Sequence, residues 1–203
     1  MENKDVRKLS LYSRDGQFNT SVEGAALSAF IHMIDLNVHK RKDINELKQK
    51  PEARHFTIDD YQCVLSREST LREYATLVGG LVPILKFFYA TEIVEYEWYP
   101  QNPLERAKLD QFFDWYQNHR TNAGLIRKVD LAILEQVFIG ETQPHLLGMH
   151  EMTIVDLVAF FAILPAHADF FEGEESRRVC PKLNRWAERL MDNEDLLEYL
   201  NGI

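Results

Sequence analysis

The chain has 203 residues, 45% of them apolar and 11% aromatic, with 32 acidic against 23 basic side chains and a net charge of −9. That length suits one domain or two small ones with a real core, and the acidic balance argues against general binding of nucleic-acid phosphates. No apolar run approaches the ~20 residues that span a bilayer, and the two cysteines, Cys63 and Cys180, match no zinc or CxxC spacing.

Charge is unevenly spread. Residues 98–203 hold 17 acids and 10 bases, so seven of the nine net negative charges fall there. The short basic run "HKRK" at 39–42 is the one local opening for a phosphate or RNA, and the overall charge speaks against it. None of the seven histidines stands at a spacing that suggests a metal site or a catalytic triad. The opening "MENKDVRK" carries acids and no apolar stretch, so a cytoplasmic location is expected, with an uncleaved mitochondrial subunit as the alternative.

In chain order, "VRKLSLYS" (6–13) alternates and reads as a strand, with Leu9 and Leu11 on one face. "TSVEGAALSAFIHMIDLNV" reads as a helix opened by a Thr20–Glu23 capping box. "VHKRKDI" reads as a second, more exposed strand. "RHFTIDDYQCVLS" (54–66) has the pattern of a hairpin turning at Asp59-Asp60. "ESTLREYATLV" signals a second helix stopped by Gly79-Gly80. "LVPILKFFYA" fits either a strand and turn or a buried helix after Pro83.

From "YPQNPLERAKLDQFFDWYQNHR" onward the chain reads as helix only. Asn102 is placed to cap, Pro103 suits the first helical position, and Leu109, Phe112, Phe113 and Tyr116 recur at helical spacing. "CPKLNRWAERLM" starts on Pro181 and lines up Leu183, Trp186, Ala187 and Leu190; a short helix through "NEDLLEYL" closes the chain. The organisation expected is α/β followed by all-α, with a boundary near residue 97: domains 1–97 and 98–203.

"HEMTIVDLVAFF" (150–161) sets Asp156 inside an apolar run, three residues after Thr153. That is a capping box with Asp in place of Glu, flanked by Met152 and Leu157 as a hydrophobic staple. A helix apolar nearly all round is buried, so its first N–H groups need partners inside the protein. Asp156 therefore reads as structural, its removal costing ~1–2 kcal/mol.

Three motifs in order, "EWYPQNPLERAKLDQFFDWYQ", "LLGMHEMTIVDLVAFF" and "CPKLNRWAERL", resemble the helical domain of cytosolic glutathione transferases, the theta class in particular. The resemblance implies a thioredoxin-like domain in front, here reduced, with glutathione as the substrate and no separate cofactor or metal. It also implies a hydroxyl after the first strand to stabilise the thiolate of glutathione, for which Ser13 and Tyr12 are the candidates. A Val-Pro pair with a cis peptide would come before the hairpin, and a Glu-Ser pair would open the third helix to hold the γ-glutamyl end. Glu68-Ser69 and Val82-Pro83 are the candidate glutathione-binding pairs. Only ~20 residues separate the first helix from the hairpin, hardly enough for the family's second helix. Two functions follow: a non-catalytic interaction or assembly subunit of a larger complex, or a working glutathione transferase acting on small electrophiles. Family members commonly form homodimers.

Overall fold

The structure, a computed structural model, describes residues 9–13, 21–36, 38–41, 44–48, 63–67, 76–91, 98, 100, 102–140 and 143–202. The chain divides into two compact units, Met1–Ile93 and Val94–Ile203.

Among the described residues of the first unit, four strands form one sheet in the order β2-β1-β3-β4. Strand β1 (Leu9–Ser13) is buried along its whole length. It pairs in parallel with β2 (His39–Arg41) and antiparallel with β3 (Cys63–Arg67), which pairs antiparallel with β4 (Thr76–Gly79). Parallel neighbours need a crossover, and α1 (Val22–Met33) supplies it. Ala25, Ala26 and Ala29 are buried, small side chains that let the helix lie close to its neighbours. Its cap is Ser21, whose hydroxyl accepts from Gly24 N at 3.1 Å, not Thr20 as the capping-box spacing predicts.

The front half keeps more of its alternation than the sequence implies. A short helix, α2 (Ile44–Lys48), stands between β2 and β3. Its Ile44 and Leu47 pack with Tyr12 and Val64 in one apolar cluster. Strands β3 and β4 pair antiparallel as a hairpin; the predicted turn at Asp59-Asp60 falls within residues 49–62, which lie outside the described residues. Thr76–Gly79, expected to end a helix, is a strand. A run this short carries no periodicity that separates strand from helix, and antiparallel pairing with β3 decides it. Gly80 (φ 84°, ψ 153°) then turns the chain into α3 (Leu81–Ala90), a backbone conformation open to glycine. The open reading of "LVPILKFFYA" thus resolves as helix. Phe30 of α1 and Phe88 of α3 stack with ring centroids 6.4 Å apart.

The second unit is helical. Helix α4 (Pro103–His119) begins on Asn102, whose Oδ1 accepts from Leu104 N at 2.9 Å. Leu109, Phe112, Phe113 and Tyr116 are its buried stripe, and the Tyr116 hydroxyl donates to Gly124 O at 2.7 Å. Residues 128–138 form one helical run: a 3-10 turn (Lys128–Asp130), α5 (Leu131–Ile133) and a π turn (Leu134–Phe138). Then come α6 (Ile154–Glu172), α7 (Glu174–Val179), α8 (Pro181–Met191) and α9 (Glu194–Asn201). Helix α6 is broken at His167 (φ −136°, ψ 24°), two residues after Pro165, whose missing N–H weakens the ladder there. Among the described residues no helix is long and apolar enough to cross a membrane.

Candidate functional site

The hydroxyls at the end of β1 come first. Adjacent strand residues point to opposite faces of a sheet, so Tyr12 and Ser13 diverge. Tyr12 is 2% exposed and packs against Ile44, Leu47 and Val64. Ser13, also 2% exposed, stands opposite Cys63 on β3, and directly paired residues share a face. The Ser13 Oγ has no hydrogen-bond partner among the described residues. The Cys63 thiol is fully buried, and burial first, then the Glu23 carboxylate, push its pKa far up. A thiol in that setting stays protonated and is a poor nucleophile. Cys180 is raised in the same direction by burial and then by Glu135.

Of the two candidate binding pairs, only Val82-Pro83 falls among the described residues. Glu68 and Ser69 lie outside the described residues; in chain order they follow β3 and precede β4, whereas the third helix begins at Leu81. Its start is Gly80-Leu81, and among the described residues no side chain caps it. Val82 and Pro83 occupy the first turn of α3, where a proline's missing N–H costs nothing. They follow the hairpin instead of preceding it, and no cis peptide occurs among the described residues. The residues that do precede β3 are Tyr61-Gln62, without proline. Among the described residues no group of three or more His, Cys, Asp or Glu could hold a metal.

In the second unit Thr153 and Asp156 come together at the start of α6. The Asp156 carboxylate is 0% exposed. Its Oδ2 accepts from Thr153 N at 2.9 Å and from Thr153 Oγ1 at 3.1 Å. Its Oδ1 accepts from Leu146 N at 2.9 Å and from Trp186 Nε1 at 2.8 Å. His145 Nδ1 lies 3.7 Å from Oδ1. One carboxylate thus joins the start of α6, the loop before it and α8. Leu147 (φ 63°) and Gly148 (φ 70°) turn that loop back, and Lys108 Nζ of α4 donates to Leu147 O at 3.2 Å.

Sequence reasoning missed a second node of the same kind. Glu135, on the π turn and 7% exposed, accepts from Lys182 N at 3.0 Å through Oε1 and from Leu183 N at 2.7 Å through Oε2. It closes the start of α8 from another helix. A signal existed: Cys180 at the cap position offers no side-chain acceptor, so the first N–H groups of a buried helix had to find one elsewhere. Both carboxylates tie helix starts to distant parts of the unit by accepting from the protein's own N–H and O–H donors.

No protein-family model matches the chain, and no curated protein matches it in sequence. Solved structures do match. Human glutathione transferase theta-2, solved with glutathione and an unknown ligand, superposes with a TM-score of 0.66 at 16% identity, over 96% of this chain and 86% of that one. Human glutathione S-transferase T1-1 in its apo form gives 0.65 at 20% identity, over 96% and 88%. FzlA from C. crescentus gives 0.64 at 14% identity, over 96% and 92%. A thioredoxin-like βαβαββα unit, an all-helical unit closed by the Asp156 box, and these superpositions together establish that this chain has the glutathione-transferase fold.

Proposed function

We propose that the chain is a glutathione-transferase-fold protein that serves as a non-catalytic interaction or assembly subunit in the cytoplasm. The observation that carries this reading is the start of the third helix: Gly80-Leu81 stands where the family places a Glu-Ser pair. A helix start favours an anion through its free N–H groups, yet among the described residues no side chain caps this start to add the hydroxyl or carboxylate that would grip the γ-glutamyl end. The absence of proline before β3 and the burial of both β1 hydroxyls support the same reading.

A second reading, an active glutathione transferase, is favoured by the Ser13 Oγ, a hydroxyl with no hydrogen-bond partner among the described residues. A donor of that kind lowers a thiol's pKa by bonding to its anion. The titration of protein with glutathione, followed by calorimetry and by conjugation to a generic electrophile, separates the two. The subunit reading expects neither heat of binding at ~1 mM glutathione, a concentration that detects affinities near −4 kcal/mol, nor turnover. Turnover abolished by Ser13→Ala would replace it with the enzyme reading.

A further inference from the structure

Half of the bases in the acidic stretch 98–203 stand within 177–189: Arg177, Arg178, Lys182, Arg185 and Arg189, with Glu188 as the one acid among them. The fold makes one surface of them. On α8, Lys182, Arg185 and Arg189 stand at i, i+3 and i+7, a single stripe, while Leu183, Trp186 and Leu190 take the buried side. From α7, Arg177 Nη2 reaches Glu188 Oε1 at 3.6 Å, which brings the end of α7 against the outer side of α8. The four arginines are exposed and Lys182 partly so. Among the described residues no ion pair engages Arg178, Arg185 or Arg189, although Asp192, Glu194 and Asp195 follow closely in the chain.

What the surface lacks narrows the class of partner. Single-stranded nucleic acid is gripped by stacking its bases on aromatic rings, and the one aromatic of the run, Trp186, is 1% exposed. An anionic membrane takes up an exposed apolar helix face, and α8 buries its own. What remains is four guanidinium forks, the shape that pairs with carboxylates two bonds at a time. Exposed Val179 and Pro181 lie between them at the joint of the two helices.

We propose that α7 and α8 dock an acidic helical segment of a partner protein. A rise of 1.5 Å per residue sets Lys182 and Arg189 about 10.5 Å apart along α8. Carboxylates at i and i+7 of a second helix have the same span, and one at i+3 or i+4 meets Arg185. An apolar side chain of that segment covers Val179. Glu188 holds the affinity down, because it occupies Arg177 and repels an incoming acid. Its pair with Arg177 is well exposed on both sides, so its own worth to stability is small. The proposal supplies the partner class for the subunit reading and rests on it. Its test reads peptide binding and not glutathione, so either can fail alone.

The probe is a labelled, alanine-based peptide of about 15 residues, long enough to form helix, with glutamates at i, i+4 and i+7 and one leucine. Fluorescence anisotropy with the full chain is expected to show saturable binding with Kd below about 1 mM at ~50 mM salt, weakened at least tenfold at ~500 mM. The same peptide with glutamine for glutamate should not bind. Arg185→Glu combined with Arg189→Glu, both at exposed positions, is expected to abolish binding with unchanged circular dichroism. Glu188→Gln is expected to tighten it severalfold. Absence of saturable binding overturns the proposal, as does undiminished binding by the double variant. Tighter binding of an oligouridine of equal length, or of phosphatidylserine vesicles, overturns the partner class. Weaker binding by Glu188→Gln overturns the part given to Glu188.

Discussion

The two units stop their helices in different ways. In the second, side chains close the starts of α4 (Asn102), α6 (Thr153 with Asp156), α8 (Glu135) and α9 (Asn193, which accepts from Leu196 N at 2.9 Å), while the 128–138 run begins without one. In the first, Ser21 closes α1, but α3 begins on Gly80 with no side-chain cap. The sheet, with β1 paired on both edges, carries the organisation instead. A helical unit must specify each element by its own ends, while a sheet specifies its members by pairing. The first unit is therefore specified by the pairing of its strands more than by the ends of its helices.

Substitutions at three positions sharpen or break that contrast. The largest effect is expected at Asp156→Ala. It strands Trp186 Nε1, Leu146 N and Thr153 N in a dry interior, and a broken buried network of this size costs ~3–5 kcal/mol. The ~1–2 kcal/mol expected from the capping box alone covers only the Thr153 bonds. Urea unfolding that shows a loss under 1 kcal/mol would mean the node is incidental. Glu135→Ala comes next, at ~2–3 kcal/mol, since two N–H groups lose a charged acceptor; Glu135→Gln, which keeps one acceptor oxygen, should recover part of it. The smallest effect is expected in the first unit. Ser13→Ala removes a buried hydroxyl with no partner among the described residues and should leave stability unchanged or raise it by up to ~1 kcal/mol. A clear destabilisation in thermal melts would show that the hydroxyl is engaged after all.

The same contrast governs what could be read from residues alone. Helix α4 was legible because cap, Pro103 and the Leu109–Tyr116 stripe are all local, and the Thr153–Asp156 spacing announced the start of α6. What lay beyond reach were the partners far along the chain: Trp186 is 30 residues from Asp156, and Lys182 and Leu183 are 47 and 48 from Glu135. The front half misled for a physical reason. Leu77 and Val78 read as the end of a helix because four residues carry no period, and Gly79-Gly80 read as a helix stop although it joins β4 to α3. The helix that follows β4 begins at Leu81, and Glu68-Ser69 lie outside the described residues.

The indole bond to Asp156 has a consequence for synthesis on the ribosome. The carboxylate and its three nearer donors emerge together, but Trp186 leaves the exit tunnel only after thirty further residues have been added. Until then α6 has its start closed while its carboxylate still lacks the indole donor from α8. A ribosome stalled in that interval would display a greasy, half-finished bundle, the form in which a holdase would meet this protein.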